Sequence, residues 1–186
     1  MPVRLMVRAG LVLLLFGWGI IGALHYEVFL PLHAVNLMFH ECGHLFFGIF
    51  GNDTLTVLGG SLMQLAIPCL VTGYFLMKRE LFSGAITFFW VGQNFLDIAV
   101  YVKDARALAL PLVSIGDGAV GNGHDWNYLL SHWGVLPYDI EIAKGLLTIG
   151  WLFFFLSLAL GLYMSDLSDG TFATDYEEST AGYAGS

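Results

Sequence analysis

Residues 145–164 read GLLTIGWLFFFLSLALGLYM, twenty positions without a single Asp, Glu, Lys or Arg. Twenty consecutive apolar residues in a helix rise about 30 Å, the thickness of the hydrocarbon layer of a bilayer. Working outward, the same texture recurs. Apolar runs cover roughly 9–29, 31–50, 57–77, 82–102 and 141–164, and the 22 charged residues gather near their ends or after Met164. Charged residues are 12% of the chain and mean hydropathy is +0.73, against the roughly 25% charge of soluble domains. A soluble protein of this composition would expose apolar patches large enough to aggregate. The fold class expected is therefore an all-α integral membrane protein of about five transmembrane helices. Residues 1–164 form one helical domain, and the acidic tail 165–186 is expected to be poorly ordered.

Arg4 and Arg8 ahead of the first run resemble a signal peptide, but the apolar stretch continues past Ile21 with no small-x-small site, so it reads as a retained helix. Five crossings would put Arg4, Arg8, Lys103 and Arg106 on one side and Lys78 and Arg79 on the other. The first side is then cytoplasmic by its excess of Lys and Arg, with the N-terminus inside and the C-terminus outside. A bacterial inner membrane is the expected location. The net charge of -8 lies largely in the tail, and no basic patch points to nucleic acid. Cys42 and Cys69 both fall in apolar runs and read as small buried hydrophobes rather than as a disulfide framework.

The second run is the least apolar because it carries His33, Asn36, His40, Glu41 and His44. On a helix His40 and His44, four residues apart, share one face and can bind a single zinc ion. Glu41, about 100° round the helix from His40, is placed to act as general base on a zinc-bound water. Zinc lowers the pKa of such a water toward ~7, and the hydroxide left after Glu41 takes the proton attacks a peptide carbonyl. Two imidazoles and a carboxylate are expensive in a membrane helix, and intramembrane ionisable groups are functional by default. The bland alternative is that they join helices by hydrogen bonds.

A catalytic zinc usually keeps three protein ligands. Asp97, on the fourth run, is one candidate for the third. The other is His124 or Asp125, in the long connection from Lys103 to Ile140. The middle of that connection, from Gly116 to Gly123, is too glycine-rich for a helix interior and reads as a loop able to re-enter the membrane. In the bland reading Asp125 caps a short helix, Trp126–His132. Gln64, Gln93 and Asn94 would hydrogen-bond an unwound substrate backbone or join helices. Gly59 and Gly60 permit close approach of either. His25 and His33 read as interfacial.

The pattern His40-Glu41-Cys42-Gly43-His44, followed by Gly59-Gly60-Ser61-Leu62-Met63-Gln64 and by Asn94-Phe95-Leu96-Asp97, resembles the site-2-protease type of intramembrane zinc metalloprotease. The likeness covers roughly residues 30–100. It implies His40, His44 and Asp97 as zinc ligands, Glu41 as the catalytic residue, and Gly60, Gln64 and Asn94 beside the substrate. Ile98 follows Asp97 where that family has glycine, and its peptide-binding domain is absent, so Asp125 and His124 stay open as third ligands. The function expected is hydrolysis of a peptide bond in a membrane-embedded protein substrate. The alternative is a non-catalytic subunit or assembly factor of a larger membrane complex, keeping a relic zinc site among partner subunits.

Overall fold

The computed structural model describes residues 3–25, 31–110 and 123–183, with side chains as far as residue 165. All regular structure among them is helical: α1 (Val3–Leu24), α2 (Pro31–Gly48), α3 (Asp53–Met77), α4 (Leu81–Lys103), α5 (Asp125–His132), a 3-10 turn (Leu136–Tyr138) and α6 (Asp139–Tyr183). By length and composition, four stretches can cross a bilayer: Val3–Leu24, Asp53–Met77, Leu81–Lys103 and Leu136–Ser165. The polar residues of the motif keep α2 out of that set. The Gly-rich segment expected to re-enter the membrane lies mostly at 111–122, outside the described residues. Beyond Ser165 the backbone of α6 stays helical to Tyr183, through the acidic stretch whose composition gave no reason to expect order. A helix already anchored by packing extends without a new nucleus.

Local sequence sets the helix ends. Pro31 opens α2, where its missing N–H is no loss. Gly51 takes φ +64 in the turn that follows, and Asn52 caps α3 by accepting the Leu55 amide at 2.9 Å. Pro68 sits inside α3, and the Thr72 hydroxyl donates to its carbonyl at 2.7 Å.

Packing pairs give the helix directions. Helices α4 and α6 are antiparallel: the Ser157 hydroxyl donates to the Ala85 carbonyl at 2.7 Å, Gly92 lies against Gly150, and Arg106 meets Asp139. Helix α3 opposes α4 across residues 78–80, with Leu76 on Gly84. Helix α2 opposes α3, with Gly43 packed on the backbone of Gly59 and Gly48 against Thr56. Val12 meets Gly161 and Gly19 meets Phe154 and Phe89, so α1 opposes α6 and runs with α4. Helices α1 and α2 therefore run the same way. Ala23 near the end of α1 and Leu32 at the start of α2 pack against one cluster, Phe89, Leu96 and Phe154.

This arrangement corrects the sequence reading of five alternating crossings. Apolar length tells whether a segment can cross, and nothing about its direction. Here α1 and α2 follow one another in series instead of forming a hairpin. The Arg8 guanidinium lies 4.7 Å from the centroid of the Phe82 ring, so Arg4 and Arg8 share an end of the bundle with Lys78 and Arg79. We call this the basic end. The α2–α3 turn and the α4–α6 connection form the other end.

Candidate metal centre

His40 and His44 lie along one face of α2, their rings edge to face with centroids 4.8 Å apart. Each ring is held by its Nδ1. His40 Nδ1 is 3.1 Å from Gln64 Oε1, and His44 Nδ1 is 2.9 Å from the Thr56 carbonyl oxygen. Both partners are acceptors from α3, so each Nδ1 carries the hydrogen and each Nε2 presents a lone pair. Helix α3 comes this close because Gly60 has no side chain. A Cβ there would stand 2.6 Å from His40 Nε2 and 2.7 Å from His44 Nε2.

The two Nε2 atoms converge on one carboxylate oxygen. Asp125 Oδ2 lies 2.7 Å from His40 Nε2 and 3.1 Å from His44 Nε2. Helix α5 delivers it. Leu130 is buried in a cluster with Ile98, Val102, Ala105 and Ala143. The Trp126 indole N–H donates to Ser61 Oγ at 3.2 Å, and Asn127 Nδ2 donates to the Ala105 carbonyl at 2.7 Å. The Asp125 amide donates to the Tyr101 hydroxyl at 3.0 Å. The cap of α5 is His124, whose Nδ1 accepts the Asn127 amide at 3.2 Å. The helix thus begins one residue earlier than expected, and Asp125 is freed from capping to face the imidazoles. Burial pushes the Asp125 carboxyl up, but where protons occupy the two Nε2 positions, hydrogen bonds and charge from His40 and His44 outweigh it and hold the group below the usual carboxylate range. Burial lowers His124, although Asp104 opposes the shift from 3.3 Å.

Two lone pairs and a carboxylate oxygen cannot share so small a space on their own, because three acceptors repel. A proton or a cation belongs between them. Two neutral imidazoles plus one carboxylate, each imidazole oriented by an acceptor on its far nitrogen, is a donor set that suits zinc. His40, His44 and Asp125 are the group of three potential ligands that comes together among the described residues.

The other expected site residues lie as follows. Asp97 accepts Asn36 Nδ2 at 2.8 Å and Gln93 Nε2 at 2.6 Å, with His33 Nε2 at 3.4 Å. The Trp90 indole N–H donates to Asn36 Oδ1 at 2.8 Å and closes that cluster. Asp97 is therefore placed with His33, Asn36 and Gln93 and not with the imidazole pair. His33 is part of that cluster rather than interfacial. Gln64 holds His40, and Gly60 lies against the Nε2 side of both rings. The Asn94 amide donates to the Trp90 carbonyl at 2.9 Å, and its Oδ1 is buried without a partner. Glu41 is half-buried and within electrostatic reach of His44 and Tyr101. Cys42 and Cys69 are exposed on the helix surface instead of buried.

Sequence reasoning passed over Thr56 and Tyr101. Thr56 acts through a backbone carbonyl, which has no residue signature. Tyr101 stands one helical turn beyond Asp97, and its ring lies 6.0 Å from that of His40 and 4.4 Å from that of His124. No protein-family model, curated protein or solved structure matches the chain.

Proposed function

We propose that the chain is an intramembrane zinc metalloprotease in which His40, His44 and Asp125 hold the metal and Glu41 is the general base. The observation that carries this reading is the convergence of two Nδ1-tethered imidazoles on Asp125 Oδ2, with the Glu41 carboxylate next to His40 on the same helix. Asp97 is thereby replaced by Asp125 as the third ligand. A zinc ion held there supplies charge stabilisation and an acidified water.

The rest is the work of the chain. Glu41 accepts a proton on its carboxylate and returns it to the leaving amine. Gln64 and the Thr56 carbonyl keep both Nε2 atoms aimed inward. Asp125, held ionised, offsets cationic charge. Tyr101 fixes the backbone from which Asp125 projects. Helix α2 lies within the membrane layer in series with α1.

The test compares membranes of cells carrying the wild type with cells carrying Glu41→Gln, by mass spectrometry of peptide termini. New termini within membrane segments should appear only with the wild type. Glu41→Gln should keep about one zinc per chain, because the ligands are untouched, and should lose 10²–10⁴ in rate. Identical termini in both would remove the protease reading and leave a metal-holding subunit of a larger membrane complex.

A further inference from the structure

Two pairs of basic residues fix which side of the membrane the metal centre faces. Arg4 and Arg8 lie in the first two turns of the first crossing, and Lys78 and Arg79 lie between α3 and α4. The contact of Arg8 with Phe82 puts both pairs at one end of the bundle. The other end holds the remaining three of the seven Lys and Arg residues, Lys103, Arg106 and Lys144. They are spread across the α4–α6 connection and the first turns of α6, and Arg106 is engaged by Asp139 through Nη2–Oδ1 at 2.6 Å and Nε–Oδ2 at 2.8 Å. The basic residues beside the first crossing usually dominate orientation, and the side with the excess of Lys and Arg, four against three here, is the cytoplasmic one.

The metal centre belongs to the other end. Tyr101 is two residues from the end of α4, Thr56 is in the first turn of α3, and Asp125 is the first residue of α5. All three elements terminate on the side of the α2–α3 turn. We infer that the His40–His44–Asp125 centre opens to the extracytoplasmic face, with the start of α1 in the cytoplasm. Metal, water and substrate then enter from outside, and the peptide bond within reach lies toward the extracytoplasmic end of the substrate segment. Only the mention of a peptide substrate rests on the protease reading. The sidedness stands on contacts and charge.

The experiment uses the full chain with Cys42→Ser and Cys69→Ser, in sealed spheroplasts of an expressing bacterium. Single cysteines replace Tyr138, at the metal-centre end, or Glu80, at the basic end, both exposed. A membrane-impermeant maleimide should label Tyr138→Cys before lysis and Glu80→Cys only after it. The reverse pattern overturns the inference, and so does equal labelling of both. Phe50→Cys and Met77→Cys provide a second pair if either variant fails to accumulate. In a second arm, EDTA, which does not cross bilayers, should strip zinc from right-side-out vesicles and spare inside-out ones; the opposite result overturns the inference. Labelling as expected, combined with identical peptide termini for wild type and Glu41→Gln, would remove the protease reading and leave the sidedness intact.

Discussion

At His40 the decisive atom is the nitrogen that faces away from the metal centre. Gln64 Oε1 accepts from Nδ1 and so fixes both tautomer and ring orientation. Replacing Gln64 with Leu removes the acceptor and leaves a buried donor unpaired. Zinc affinity, measured by competition with a chromogenic chelator, should fall 10–100-fold, while Gln64→Glu should retain most of it. Gly60→Ala acts from the opposite side. Its methyl group would occupy the space between the two Nε2 atoms, so metal binding should be abolished although alanine is the better helix former. The two aspartates separate cleanly. Asp125→Asn should lose zinc. Asp97→Asn should keep it but lose stability, because an amide NH2 would then face the donors of Asn36 or Gln93; an unsatisfied buried group costs about 1–3 kcal/mol. Equal zinc loss in both variants would contradict the placement of Asp97.

Helix α5 is the element that makes the centre three-sided, and it is held from outside the centre. Leu130 is almost fully buried among Ile98, Val102, Ala105 and Ala143. Leu130→Ala should cost about 2–5 kcal/mol and should weaken zinc binding through looser seating of Asp125. Trp126→Phe keeps the bulk and loses only the bond to Ser61, so its effect on zinc should be smaller. Metal affinity unchanged in Leu130→Ala, with the thermal midpoint lowered, would show that α5 is not needed to position Asp125. Little of this element is legible in sequence. The short helix itself is readable from Trp126 to His132, but its docking surface is made by residues from α4 and α6, and Asp125 follows His40 by 85 positions. A capping histidine at 124 in place of the expected aspartate is also hard to foresee, since Asp is the commoner cap.

For the molecule as a whole, hydropathy reveals membrane helices because burial in lipid leaves its mark on every residue. It reveals their directions poorly, since an apolar run reads the same from either end. Gly145–Met164 is legible as a crossing on sight, whereas the parallel course of α1 and α2 is visible only through contacts such as Gly19 on Phe89 and Leu32 on the Phe154 cluster. The motif on α2 is legible in part. His33, Asn36, His40 and His44 fall at intervals of three, four and four, which marks one polar face. The sequence does not show that this face is divided, its first half turned to Asp97 and its second to Asp125.

The succession of α1 and α2 has a mechanical consequence. A single unbroken rod transmits every tilt along its length, and membrane helices tilt to match the thickness of the surrounding lipid. Where one rod stops and another starts, the tilt of the first need not reach the second. Helix α1 is the outermost element, largely lipid-facing with Val12 and Gly19 as its buried points, while α2 is clamped to α3 through Gly43 and Gly59. Changes in bilayer thickness should therefore be absorbed by α1 and leave the spacing of His40 and His44 undisturbed. In vesicles of phosphatidylcholines with lengthening acyl chains, zinc affinity should stay flat while the tilt of α1, followed by oriented infrared dichroism of labelled carbonyls, changes. An affinity that tracks chain length would mean that the two helices behave as one rigid shaft.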